Sequence, residues 1–382
     1  VIVVVGAGLA GLQTVVALRE QGYGGRLVLL GAEPAPPYDR PPLSKQVLVG
    51  AADDSTLEAD WAALAVDLRL STRASAVGDG VVTTDRGDVD YDRAVLATGA
   101  LPRRLPGAES SLTLRTRADA SRLRAAIRPG VHLAIVGAGW IGAEVATAAR
   151  AAGAEVTVVE SMAAPLAVAL PVEVGRRTEP WWSGVDLRVG TRVDAVEPRA
   201  VHLVGGETVS ADVVLLAIGA QPVALPGVDA TGGGAVAVDG RLRTSAPGVL
   251  AVGDCAAWES PRYRTRMHVE HWDNALHAPA VAAANALGGD EAWDPVPYFW
   301  SEQWGRMVQY AGHHPAGDRV VWREDGERWA AFWLTGPRLV AALTVDRPRD
   351  LVQARKLMQR DAEVDEVALT DPAVPVKNAA AG

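Results

Sequence analysis

The sequence predicts an α/β protein with two Rossmann-like dinucleotide-binding domains and a small C-terminal α+β domain. Three observations carry this. A buried-strand pattern followed by G-x-G-x-x-G occurs twice, at residues 1–11 and 132–142. A second pair of segments repeats as well, ATGALPRRLPG at 97–107 and AIGAQPVALPG at 217–227. Composition then changes from residue 298, and six of the twelve tryptophans follow Asp290 among alternating, strand-like segments. A duplicated dinucleotide unit implies two dinucleotides in one chain, and hence electron transfer between them.

Taken in order, residues 1–5 are all β-branched and read as a strand buried on both faces. Gly6 allows the tight turn, Gly8 lets a pyrophosphate approach the backbone, and Gly11 lets helix and strand pack closely. A helix is expected over 12–21, its first amides open to a phosphate, then a strand over 26–30. Glu33 stands at that strand's exit, where a carboxylate can accept hydrogen bonds from an adenosine ribose. The proline-rich loop 35–45 is too stiff for ordinary linker; within it Ser44 could cap a helix and Lys45 could simply be solvated. A helix is expected over 57–64, short strands over 66–70 and 81–84, and a buried strand over 93–99. Residues 101–107 have the composition of a domain crossing. The pattern restarts with a strand at 132–136, the glycines Gly137, Gly139 and Gly142, a helix over 143–152 and a strand at 155–159 ending in Glu160. Residues 244–257 return to strand character around Asp254, 268–287 read as mostly helical, and 351–360 as helical. The last residues, AAAG, are expected to fray.

Composition narrows the function. A chain of 382 residues can build two or three domains, and with 49% hydrophobic but only 5% aromatic residues the cores are aliphatic. A net charge of −9 argues against a nucleic-acid partner. The single cysteine, Cys255, can form no internal disulfide and no cysteine-ligated metal or iron–sulfur site, so a reducing, cytoplasmic location is expected. The apolar opening carries no basic n-region or small-residue cleavage site, and Gln13 and Arg19 interrupt the long apolar stretch, so neither a leader nor a membrane span is expected. His268 and His271 could share a helical face and His313–His314 has no partner spacing; no metal site is expected.

The segments GAGLAG, PYDRPPLSK, ATGALPR, LRT, GAGWIGAE, VGDCA, EHWDNA and YFWSEQWG, in this order, resemble the FAD-dependent NADH:ferredoxin reductases of oxygenase systems, the putidaredoxin reductase-like family, whose build apoptosis-inducing factor shares. The resemblance implies a discontinuous FAD-binding domain (1–108 and 239–297), an inserted NADH-binding domain (109–238) and a C-terminal reductase domain (298–382). It implies an FAD site of Gly6, Gly8, Gly11, Glu33, Arg40, Lys45, Ala74, Arg115, Asp254 and Trp272, with Trp300 near the flavin face. The NADH site would use Gly137, Gly139, Ile141, Gly142, Glu144 and Glu160, and Lys45, Glu144 and Trp300 would serve catalysis, with a Lys45–Glu144 ion pair under the flavin. On the residues alone Asp254 reads as a turn residue, Trp300 as a core aromatic, and Glu144 as readily as a carboxylate favoured by the helix dipole. Two departures from the family pattern stand out: 177–185 is short and carries Pro180, so the helix there is expected to be truncated or broken, and Pro279 stands in the helix after EHWDNA where the family commonly has glycine.

The resulting expectation is a reductase passing hydride from NADH to FAD and single electrons to an iron–sulfur ferredoxin that serves an oxygenase such as a haem monooxygenase. The alternatives are an NADH oxidase reducing oxygen directly and a non-catalytic redox-signalling flavoprotein. A disulfide reductase would need a redox cysteine beside the flavin. Glu160, with no basic residue in 161–170, predicts NADH over NADPH. Docking of an acidic ferredoxin is expected near Arg262, Arg264 and Arg266, which alternate onto one face if 261–268 is a strand; the plain alternative is a solvated, charged edge strand.

Overall fold

Residues 1–381 are described by a computed structural model. The opening valines form the strand Ile2–Val5, central in a five-stranded parallel sheet and buried throughout, which is why β-branched residues can fill it without alternation. Leu27–Leu30 and Val66–Arg69 extend the sheet on one side; Arg93–Leu96 and Val249–Ala251 extend it on the other. The helix Leu9–Glu20 starts three residues before the expected position, because Gly6 alone makes the left-handed turn (φ 115°) and Gly8 already serves as N-cap. It packs against the long helix Trp272–Ala286.

The second glycine motif opens the same arrangement. Asp186–Arg188, Glu155–Val159, His132–Val136 and Val213–Leu216 form a four-stranded parallel sheet, and the helix Trp140–Ala151 again begins earlier than expected, with Gly139 as N-cap. Each half also carries a three-stranded antiparallel sheet, built from Ala74–Gly78, Val81–Thr84 and Val89–Asp90 in the first and from Val193–Glu197, Ala200–Leu203 and Thr208–Ser210 in the second. The repeated ALP and AQP segments pair with each other: Ala100–Pro102 runs antiparallel to Ala220–Pro222, forming a two-stranded ribbon where the chain leaves and re-enters the first half.

Tyr298–Gln303, Arg306–Gly312, Arg338–Val345, Arg328–Thr335 and Arg319–Asp325 form a five-stranded antiparallel sheet, covered by the helix Pro348–Gln359. The end of the chain is tied down rather than frayed. Arg323, 1% exposed, donates to the carbonyls of Leu369 (2.9 Å) and Val374 (2.6 Å), the turn Val376–Ala379 buries its two end residues, and Ala380 bridges to Val364. Gly382 lies outside the described residues.

Other expectations need correction. The helix of 57–64 shrinks to Trp61–Leu64, started by the Asp60 side chain and stopped by a left-handed Ala65. The helix Val172–Thr178, by contrast, is cut short before Pro180 as expected, and a 3-10 turn, Glu179–Trp182, follows. Residues 268–271 precede the helix, which starts at Trp272 and runs through Pro279 without breaking. Residues 261–268 are not one strand: only Thr265–His268 is, hairpinned on Ala256–Ser260, and Arg264 sits in the turn with φ 53°. No helix among the described residues is long and apolar enough to cross a membrane.

Candidate active site

One cleft of about 1110 Å³ runs between the two glycine loops and is lined from both halves and from the C-terminal sheet. The glycines divide by what a side chain would meet. A Cβ on Gly6 or Gly137 would lie 2.1 or 2.4 Å from the carbonyl of Ala97 or Ala217, and one on Gly11 or Gly142 would lie 1.8 or 2.0 Å from the carbonyl of Gly6 or Gly137. These four pack backbone on backbone. Gly8 and Gly139 meet nothing within 4 Å, so each loop leaves a cradle at its second glycine, at the start of a twelve-residue helix. A helix N-terminus with free amides and a bare backbone suits a pyrophosphate, and the chain has two such places on one cleft.

At the first cradle, Glu33 accepts from the Tyr38 hydroxyl (2.6 Å) and pairs with Arg40 (2.9 Å). Burial, more than the neighbouring Arg40 offsets, pushes the Tyr38 phenol up to about 12, so it remains a donor. Arg40 also donates to the Arg115 carbonyl. Arg115 pairs with Asp254 at 2.7 Å and donates to the Ala100 carbonyl, which holds the aspartate at the cleft wall within the turn Gly253–Cys255. At the second cradle the environment differs. Glu160, 6% exposed, accepts from the backbone N–H of Ala138 (2.8 Å) and of Met162 (2.7 Å).

The two halves meet at Glu144, which is 5% exposed. Lys45 Nζ lies 2.9 Å from Glu144 Oε2, giving the ion pair expected from the resemblance. Ser44 donates to the same oxygen, and Ser301 donates to Oε1 at 2.6 Å. Lys45 and Ser44 come from the first half, Glu144 from the second and Ser301 from the C-terminal sheet, so one carboxylate ties three parts of the chain together.

Trp300 and Trp272 wall the cleft with ring centroids 5.7 Å apart, and the Trp272 indole donates to Asp39. Beside them His271 packs on Phe299 (4.7 Å). Its Nδ1 is buried without a partner, and burial pushes the imidazole down to about 4, so it is neutral. Enclosure by the cleft walls, and then the Asp254 charge, raise the Glu270 carboxyl above its ordinary range. Cys255 is buried, accepts no partner thiol, and burial pushes its thiol up, away from redox reactivity. Among the described residues no cluster of His, Cys, Asp and Glu suits a metal ion.

Of the residues singled out from the sequence, Gly6, Gly8, Glu33, Arg40, Lys45, Arg115, Gly137, Gly139, Ile141, Glu144, Glu160, Asp254, Trp272 and Trp300 all line the cleft. Gly11 and Gly142 sit behind it as packing positions. Ala74 does not line it; it starts an antiparallel strand and packs against the first core. Sequence reasoning missed Tyr38, the Ser44 and Ser301 hydroxyls, His271 and Arg192. Strand alternation offered a signal for Ser301: with Trp300 facing the cleft, its neighbour must face away, toward the helix Trp140–Ala151. The arginines of 261–268 are exposed but do not act together, since Arg262 donates to the Met358 carbonyl and Arg266 pairs with Glu259.

Two pyrophosphate cradles on one cleft, bridged by a buried lysine–glutamate pair, define an oxidoreductase that brings two dinucleotides together. Residues 1–278 match the pyridine nucleotide-disulphide oxidoreductase family and residues 298–380 the reductase C-terminal family. The ferredoxin–NAD(+) reductase component of the p-cumate 2,3-dioxygenase system of Pseudomonas putida is 34% identical, with 99% of this chain and 98% of that one covered. The crystal structure of Fdr9 superimposes with a TM-score of 0.94 at 47% identity over 98% of both chains. The covalent putidaredoxin reductase–putidaredoxin complex gives a TM-score of 0.93 at 32% identity, over 99% of this chain and 97% of that one. The chain therefore belongs to the ferredoxin–NAD(+) reductases of oxygenase systems, within the pyridine nucleotide-disulphide oxidoreductases. Membership implies FAD and NAD(H) as its cofactors, and the open second glycines and the orphaned His271 nitrogen fit such groups.

Proposed function

We propose that this chain takes hydride from NADH onto an FAD held by residues 1–108 and 239–297, with NADH held by 109–238, and passes single electrons to a ferredoxin that serves an oxygenase such as a haem monooxygenase. The buried Lys45–Glu144 pair, joining the two glycine-loop halves on a single cleft, is the observation that carries the reading. FAD, when bound, supplies the conversion of a two-electron donor into one-electron steps. The chain's own groups bind and orient. The loop Gly6, Gly8, Gly11 and the amides behind it would hold the FAD pyrophosphate, and Glu33, steadied by Tyr38 and Arg40, its ribose. Arg115 fixes Asp254 so that the carboxylate can accept from the ribityl chain, while Trp272 and Trp300 exclude water from the ring site. Gly137, Gly139, Gly142, Ile141 and Glu160 would hold NADH. Glu144 keeps the Lys45 ammonium at the wall between them.

Rapid mixing of the FAD-loaded protein with NADH in the absence of oxygen tests this, followed by addition of either an iron–sulfur ferredoxin or air. The proposal expects fast flavin bleaching and re-oxidation by ferredoxin well ahead of oxygen. Re-oxidation by oxygen as fast as by ferredoxin would make the chain an oxidase instead. The lone cysteine, buried and free, supports a reducing, cytoplasmic location. Ferredoxin would dock on the hairpin of Ala256–Ser260 and Thr265–His268, with Arg264 as the main charge: Arg264 makes no ion pair among the described residues, and His268 at the hairpin's end bonds the Asp254 carbonyl at 2.8 Å.

A further inference from the structure

The second cradle carries a positive charge that the sequence window after Glu160 does not contain. Arg192 follows Thr191, whose N–H donates to the Glu160 carbonyl at 2.9 Å, and it lines the cleft at that end. It is exposed and makes no ion pair or side-chain hydrogen bond among the described residues, whereas Arg188, four residues earlier, is consumed by Asp186 and Glu207. Glu160 is the opposite case. Its two carboxylate oxygens are occupied by the N–H groups of Ala138 and Met162, and it is buried. The acid is thus turned into the glycine loop with its charge compensated by backbone donors, while the arginine is turned into the cleft without a partner.

In a Rossmann-type site the acid after the second strand marks the adenosine ribose hydroxyls, and an arginine beside that point is what accommodates a 2′-phosphate. We infer that Arg192 is a specificity-determining residue that gives the second nucleotide site a binding point for a 2′-phosphate, so that the chain accepts NADPH as well as NADH. This rests on the reading of the second cradle as the pyridine-nucleotide site. The guanidinium is suited to the task because it presents a planar fork of donors to phosphate oxygens. Its exposure limits the gain to that of a solvated ion pair, about fivefold in affinity.

Adenine-nucleotide fragments isolate the effect from the chemistry. Calorimetric titration of the FAD-loaded protein with 5′-AMP and with adenosine 2′,5′-bisphosphate compares the wild type with Arg192→Ala and Arg192→Lys. The inference expects the wild type to bind the bisphosphate at least as tightly as AMP. Arg192→Ala should lose about fivefold for the bisphosphate and nothing for AMP, and Arg192→Lys should recover most of the loss. A bisphosphate-to-AMP ratio unchanged by Arg192→Ala overturns the assignment while leaving the nucleotide site intact. Failure of both fragments to bind overturns it together with the site it rests on.

Discussion

Gly8 and Gly11 are three residues apart and should fail for opposite reasons. A methyl group on Gly8 meets open space, so Gly8→Ala should fold with a urea midpoint near that of wild type yet lose bound flavin at least about tenfold, because the pyrophosphate can no longer approach the backbone. On Gly11 the same methyl lies 1.8 Å from a carbonyl, and Gly11→Ala should lose about 3 kcal/mol of stability or not fold. Flavin absorbance and urea melts on both variants separate the two roles. The Glu144 cluster makes a second expectation. Ser301→Ala leaves Oε1 of a buried carboxylate without its donor, at a cost of about 2 kcal/mol, and should slow flavin reduction by NADH several-fold with flavin content unchanged. Ser301→Thr keeps the hydroxyl and should behave as wild type; equal rates in all three proteins would remove Ser301 from the site. Glu33 stood out from the residues themselves, at the exit of the strand that follows a glycine motif of fixed spacing, whereas Lys45 and Asp254 stood out only through the family resemblance, since on their own they read as a solvated lysine and a turn residue. Ser44 and Ser301 were not legible, because their partner Glu144 lies 100 or more residues away, and Arg192 was not, because no local pattern marks the strand end that brings Thr191 onto the Glu160 carbonyl.

Among the elements, the turn His314–Ala316 shows how a short segment couples to pH. Tyr310 Oη lies 3.0 Å from His314 Nδ1 and accepts from the His314 backbone N–H at 2.8 Å, which holds the imidazole against the strand. Burial, and then the neighbouring His313, push His314 down to about 4. In the unfolded chain it titrates near 6.5, so the unfolded state takes up the proton first, and stability falls as pH drops from about 6.5 toward 4. Between pH 7 and 5 the loss should be about 2 kcal/mol. Urea melts of His314→Gln at the two pH values should show a shallower drop; an identical drop would mean that the folded protein charges His314 without penalty. The sequence marked this pair only as lacking a metal partner, since its true partner is a tyrosine hydroxyl on the preceding strand. Helix starts were misread for a simpler reason. Leu9 and Trp140 lie inside the glycine motifs, and the apolar periodicity becomes visible only after the turn is complete.

For the molecule as a whole, a net charge of −9 must be overcome locally if an acidic partner is to dock. Because Arg262 and Arg266 are tied to the protein, the effect should concentrate at Arg264. Arg264→Glu should slow ferredoxin reduction and flatten its salt dependence, with flavin reduction by NADH unaffected. Stopped-flow rates equal to wild type across a salt series would move the docking surface elsewhere. The three-part architecture was legible at this scale because duplication and composition are global signals. What joins the parts was not: the ribbon between Ala100–Pro102 and Ala220–Pro222 and the closure of the first sheet by Val249–Ala251 depend on pairings across more than a hundred residues.

That closing strand also fixes a timetable for a chain that leaves the ribosome amino end first. The four strands of the second parallel sheet all lie between residues 132 and 216 and can assemble as soon as they emerge. The first sheet, although its opening strands are made earliest, keeps Arg93–Leu96 as a bare apolar edge until Val249–Ala251 arrives. The later-encoded unit is therefore finished before the one that encloses it, and during that interval the nascent chain exposes the strand edge most open to mispairing.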